Sequence, residues 1–182
     1  MSRASPTHYT PVAKILHWTI AALIIVQFVL AHLAEDAPSK MQQLALYARH
    51  KSFGMTILML AVMRLVWRLF NRPPELPPAM KPYERRLAQL GHWALYTLLF
   101  VMPLAGWLMS SARGFTVSWF GLFSFPDLIA RNQAHFETFK EIHESLAKVL
   151  FFLAILHVLA ALKHHFWDKD DVLRRMLPFG GK

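Results

Sequence analysis

Residues 143–167 read HESLAKVLFFLAILHVLAALKHHFW. From Leu146 to Trp167 the run is apolar apart from Lys148, Lys163 and three histidines. At 1.5 Å per residue it is long enough to cross about 30 Å of hydrocarbon. His143 and His157 stand 14 residues apart, which at 100° per residue puts them within about 40° of one helix face and roughly 21 Å apart along the axis. An imidazole at membrane depth is costly, so two of them stacked on one apolar helix point to a function.

Three runs of the same kind precede this one, at about 15–33, 53–70 and 90–110, with the fourth at 146–167. The whole chain agrees with them: of its 182 residues 55% are hydrophobic and 17% charged, the mean hydropathy is +0.31, and soluble domains carry about 25% charge. The expectation is an all-α membrane protein, one four-transmembrane-helix bundle spanning 1–182. A disordered chain, a disulfide scaffold and an ordinary α/β enzyme are excluded. Trp18 and Gln27 inside the first run, with no short apolar core followed by a small-residue cleavage site, make it a retained helix rather than a signal peptide. Pro73, Pro74, Pro77, Pro78 and Pro82 end the second helix and make the next connection extended. The segment 111–144 is the longest connection.

Alternate connections lie on opposite sides of the membrane. Lys and Arg number 13 on the side of the termini and the proline-rich loop and 7 on the other, so both termini are expected in the cytoplasm. With acidic residues included the sides carry +8 and +1. The basic balance therefore reads as topology, and no nucleic-acid partner is expected.

Zero cysteines remove disulfides, iron–sulfur clusters and covalently attached haem. Metal chemistry must rest on histidine, methionine or carboxylate. With helices one and three running outward, His17 and His157 fall in the inner half and His50 and His143 near the outer face. Pairing His17 with His157 and His50 with His143 gives two bis-histidine sites, one above the other, the arrangement that two b-type haems require. Such iron is coordinatively saturated and suits electron transfer. A flat macrocycle needs a small residue one turn from each ligand, and those positions hold Ala21, Gly54, Ala147 and Ala161. None of the other six histidines has a small residue there. Arg64, Arg68 and Arg72 form a stripe at the inner end of helix two. Arg64 is a candidate partner for a haem propionate, against the simpler reading of interfacial anchoring. His92 either bonds a propionate or caps the interface.

With these residues in hand the chain resembles the bacterial cytochrome b561 family. The carrying motifs are Leu16-His17-Trp18, Arg49-His50-Lys51-Ser52-Phe53-Gly54, Leu90-Gly91-His92, His143-Glu144-Ser145-Leu146-Ala147, and Leu156-His157 through His164-His165-Phe166-Trp167. The resemblance implies a multi-pass protein of the bacterial inner membrane. It implies two b haems, His17 and His157 on the inner one and His50 and His143 on the outer. It also implies a quinone site at the inner face, where Lys81, His164 and Trp167 match family positions. Members that oxidise superoxide outside and reduce ubiquinone inside set the preferred reaction, with His164 and Lys81 as candidates to serve the quinone's protons. The alternatives are a quinone-linked relay or anchor for a separate periplasmic redox partner, and a histidine-lined carrier for a divalent metal.

Overall fold

The computed structural model describes residues 8–178. The ends of the chain, and with them the outermost residues of the expected 1–182 domain, lie outside the described residues. Four long helices, each long and apolar enough to cross a membrane, run in chain order: α1 (Pro11–Glu35), α2 (Lys40–Phe70), α3 (Pro82–Arg113) and α4 (Gln133–Lys163). A π-helical turn, His164–Asp168, extends α4, and a short α5 (Val172–Met176) closes the described chain.

The helices are longer than the apolar runs that announced them. α2 begins at Lys40 and α4 at Gln133, so His50, read as preceding the second span, lies inside α2. His143, placed at the end of the fourth span, lies well inside α4. The physical reason is capping. Ser39 Oγ accepts from the Gln42 N–H and Asn132 Oδ1 from the His135 N–H, so each helix starts 10 residues before its histidine, through polar sequence that a hydropathy reading stops at. The α3–α4 connection accordingly shrinks from 111–144 to 114–132. Gly114, at φ 82°, ends α3 in the left-handed conformation that glycine adopts at little cost.

That connection is also more ordered than expected. Strands β1 (Ser118–Trp119) and β2 (Phe123–Ser124) pair antiparallel, turning through Phe120 and Gly121, both at positive φ. The hairpin is anchored on α2. The Ser52 hydroxyl donates to the Ser118 carbonyl at 2.9 Å and accepts from the Phe120 N–H at 3.0 Å, while Trp119 Nε1 donates to Thr56 Oγ1 at 3.0 Å.

Packing is uneven. α1 packs on α2, α3 on α4, and α2 on α3, but α4 makes no comparable backbone approach to α1 or α2. Leu150 is the one buried residue of α4, and large apolar side chains such as Phe152, Leu156 and Leu159 face outward. In water such a surface would be an aggregation liability; for a helix in lipid it is the solvated face. The opposite end of the bundle is tied by polar contacts. Trp18 Nε1 donates to the Met176 carbonyl at 3.0 Å and Arg175 to the Glu75 carbonyl at 2.6 Å, holding α5 against α1 and the proline-rich loop.

Candidate functional site

The seam between α4 and the α1–α2 pair is where the histidines meet. His17 of α1 faces His157 of α4 with ring centroids 6.2 Å apart and planes at 70°. His50 of α2 faces His143 of α4 at 6.3 Å and 72°. An imidazole nitrogen holds a metal at about 2.0 Å, and the ring centre lies about 1.1 Å further back. Two imidazoles on opposite sides of one ion therefore have centroids roughly 6.2 Å apart, and both pairs have that spacing.

The His50–His143 pair shows how its rings are aimed. His50 Nδ1–H donates to the Gln27 carbonyl and His143 Nδ1–H to the Met102 carbonyl, each at 3.2 Å. A metal-binding histidine usually donates its second ring N–H to such an acceptor, which fixes the tautomer. In both rings this leaves Nε2 as the lone-pair nitrogen. Gly106 permits one of these contacts: a Cβ there would stand 3.0 Å from His143 Cε1 and 3.2 Å from Nδ1. At Gly54 the neighbour is the Gln27 side-chain amide, 3.0 Å from where a Cβ would be, and Gln27 Oε1 is buried without a hydrogen-bond partner. Between the two histidines of α4, Phe151 meets Phe28 of α1 edge-to-face at 5.6 Å, closing the seam between levels. Ala21, Ala147 and Ala161 are partly buried. Neutral imidazoles in facing pairs, across a seam that the backbone leaves open, fit a bis-histidine haem better than a hydrated divalent ion, which would draw carboxylates.

His92 also approaches His157, with centroids 5.7 Å apart. That spacing is tighter than two axial ligands allow, so His17 is the better matched partner. Arg64 lies within electrostatic reach of His17, His92 and His157. It is held in place: Nη1 donates to the Ala13 carbonyl at 2.9 Å and Nε to the Tyr96 hydroxyl at 3.0 Å.

At the same end of the bundle, His164 is mostly buried and His164 Nδ1 stands 2.7 Å from Asp170 Oδ2 and 3.0 Å from Asp168 Oδ2. Lys163 Nζ bridges Asp168 and Glu84, both at 2.7 Å. This ammonium already occupies the carboxylate that a cation would need. The π turn makes the network possible, since its extra residue per turn lets Lys163 and His164 converge on Asp168. Lys81 caps the start of α3 and lies within electrostatic reach of Asp168, so it shares the neighbourhood of His164. Trp167 is 80% exposed and stands on the outer surface of the turn.

The family described as prokaryotic cytochrome b561 matches residues 8–179. The chain belongs to that family. Cytochrome b561 homolog 2 of Escherichia coli K12 is 35% identical over 181 residues, covering 95% of this chain and 93% of the relative. A protein named probable superoxide oxidase CybB from Yersinia pestis is 34% identical over 163 residues, covering 90% and 92%. Cytochrome b561 homolog 1 of Escherichia coli K12 is 27% identical over 164 residues. As a cytochrome b561, this chain is a multi-pass bacterial membrane protein of electron transfer, and the family implies a b-type haem.

Several parts of the site carry no sequence signal of their own. The Met102 and Gln27 carbonyls are backbone groups, invisible to residue type. Gly106 was readable only as a small residue, and nothing in the sequence pairs it with His143. The π turn that brings Asp168 and Asp170 to His164 has no composition signal.

Proposed function

We propose that this chain carries two non-covalent b haems and passes single electrons from superoxide at the periplasmic face to ubiquinone at the cytoplasmic face of the inner membrane. The observation that carries this reading is the pair of matched histidine couples, 6.2 and 6.3 Å between centroids at nearly equal tilt. The likeness to the probable superoxide oxidase supports the choice of donor. Two superoxide radicals each give up one electron to become oxygen, and one quinone takes two electrons and two protons to become quinol.

When bound, the haems supply reversible one-electron redox chemistry at saturated iron. His17 and His157 would hold the inner group, with Arg64 placed for a propionate, and His50 and His143 the outer one. Ala21, Gly54, Ala147 and Ala161 keep the helix surfaces beside the ligands low. At the inner end the Asp170 and Asp168 carboxylates meet only Nδ1 of His164, so a proton on Nε2 would be the one donated to a quinone carbonyl. His164 serves protons there as a titratable donor, Lys81 adds positive charge, and the exposed Trp167 offers an interfacial surface for the isoprenoid tail. At the outer end Arg49 and Lys51 flank His50 and draw the anionic radical.

Purified protein tests this directly. Pyridine-haemochrome assay should give two haems per chain, extractable into acid acetone. Stopped-flow mixing with superoxide should reduce them, and ubiquinone should reoxidise them. One haem per chain, or none, overturns the pairing. A second reading, a relay or anchor for a separate periplasmic donor, is favoured by the outer side's net charge of only +1. Haems that superoxide leaves oxidised while dithionite reduces them would establish that reading instead.

A further inference from the structure

A hollow open to solvent lies where α1 begins and α2 ends. Arg64, Arg68 and Arg72 line it together with Tyr9, Tyr96 and Asn71. None of the ion pairs among the described residues involves the three arginines.

We infer that this cavity binds the phosphate of an anionic phospholipid, with Arg68 and Arg72 as its principal charge partners. Three cations converging on one hollow repel one another unless an anion joins them, and a basic pocket between transmembrane helices is a recurring headgroup site. The donors are preset. Arg64 has spent two N–H groups on the Ala13 carbonyl and the Tyr96 hydroxyl, so it fixes the back wall. Arg68 lies over the Tyr96 ring at 5.4 Å, which leaves the edge of its guanidinium for acceptors in the plane. Trp67 and Asn71 are satisfied within the protein, on Thr10 Oγ1 and the Trp67 carbonyl. Burial pushes the Tyr9 phenol above its ordinary value near 10, so Tyr9 stays protonated and able to donate to a phosphate oxygen at physiological pH.

Two features favour a lipid over a soluble phosphate. The lining residues straddle the ends of α1 and α2, which is headgroup depth for helices that cross the bilayer. On the same ends of α1 and α2, Ile15, Leu69 and Phe70 are 65%, 73% and 83% exposed, an apolar surface that acyl chains would cover. Of the three cations, Arg64 alone reaches both His17 and His157 electrostatically. Arg68 and Arg72 stand one and two turns farther along α2, so a haem propionate held by Arg64 leaves them for another anion.

Native mass spectrometry of the haem-loaded protein tests this inference, with phosphatidylglycerol, phosphatidylethanolamine or inorganic phosphate added in turn. Wild type should retain one phosphatidylglycerol per chain in preference to phosphatidylethanolamine. The Arg68→Gln, Arg72→Gln double variant should lose roughly thirtyfold in that affinity, while the control Lys140→Gln, Lys148→Gln, which removes the same charge from α4, loses none. Both variants should keep the wild-type haem content. Equal loss in the two variants would reduce the effect to general electrostatics and overturn the site. Inorganic phosphate binding as tightly as the lipid would assign the cavity to a soluble anion instead. Haem loss confined to the Arg68 and Arg72 variant would assign it to a propionate. These readouts require no turnover, so they stand apart from the identity of the electron donor.

Discussion

A methyl group added at Gly106 would lie 3.0 Å from the His143 ring, whereas one at Gly54 would meet only the flexible end of Gln27 at the same distance. The two glycines thus answer differently to one substitution. Gly106→Ala forces the His143 ring away from the Met102 carbonyl and should lower outer-haem occupancy, leaving the inner haem intact. Gly54→Ala shifts Gln27 and should cost less. Haem stoichiometry with low-temperature spectra of the two haems checks both, and an undisturbed outer haem in Gly106→Ala would show that the ring has room. At the other end of the molecule, Asp170→Asn replaces a charged partner of His164 Nδ1 by an amide. Haem content and superoxide-driven reduction should stay unchanged while reoxidation by ubiquinone slows several-fold, and Asp170→Glu should restore much of it. The sequence disclosed the four histidines because an imidazole in an apolar run is conspicuous. It did not disclose their supports, because a backbone carbonyl or a glycine looks the same in every context.

Elements were legible to the extent that hydrocarbon dictates them. Hydropathy located all four helices, since apolar runs of the right length have few alternatives. It missed the outer extensions of α2 and α4, which polar caps rather than lipid sustain, and it missed the β1–β2 hairpin, whose two-residue strands are too short for a period to register. Ser52 ties that hairpin to α2, two residues from His50. Ser52→Ala removes the bond to the Ser118 carbonyl and the acceptor of the half-exposed Phe120 N–H, a loss of about 1 kcal/mol. Faster amide exchange confined to 114–132 is the expected result, with α1–α4 protected as before. Uniformly faster exchange would mean that Ser52 supports the bundle rather than the hairpin.

At the scale of the whole molecule, the proposed pairing has α4 supply a histidine at both levels, α1 and α2 one each, and α3 none. α1 supplies only His17 and α2 only His50, so loss of His17 or His157 should empty the same site, and loss of His50 or His143 the other. His92→Ala should empty neither, because its 5.7 Å approach to His157 falls short of the roughly 6.2 Å that two imidazoles facing each other across one ion need. A haem missing from His92→Ala would exchange the roles of His17 and His92.

The roughly 21 Å between levels on α4 also separates the two half-reactions, and single-site changes should divide accordingly. Arg49→Glu with Lys51→Glu reverses charge beside His50. Superoxide should then reduce the haems more slowly and with a weaker salt dependence, while ubiquinone reoxidises them at the wild-type rate. Lys81→Ala and His164→Ala sit at the other end, where Lys81 and the His164 network converge on Asp168. They should leave the superoxide phase fast and slow the quinone phase. Stopped-flow traces of each half-reaction separate these outcomes. If Lys81 and His164 variants reoxidise normally, the quinone binds elsewhere; if all four changes slow both phases alike, electron passage between the levels limits turnover and neither face is resolved by its own residues.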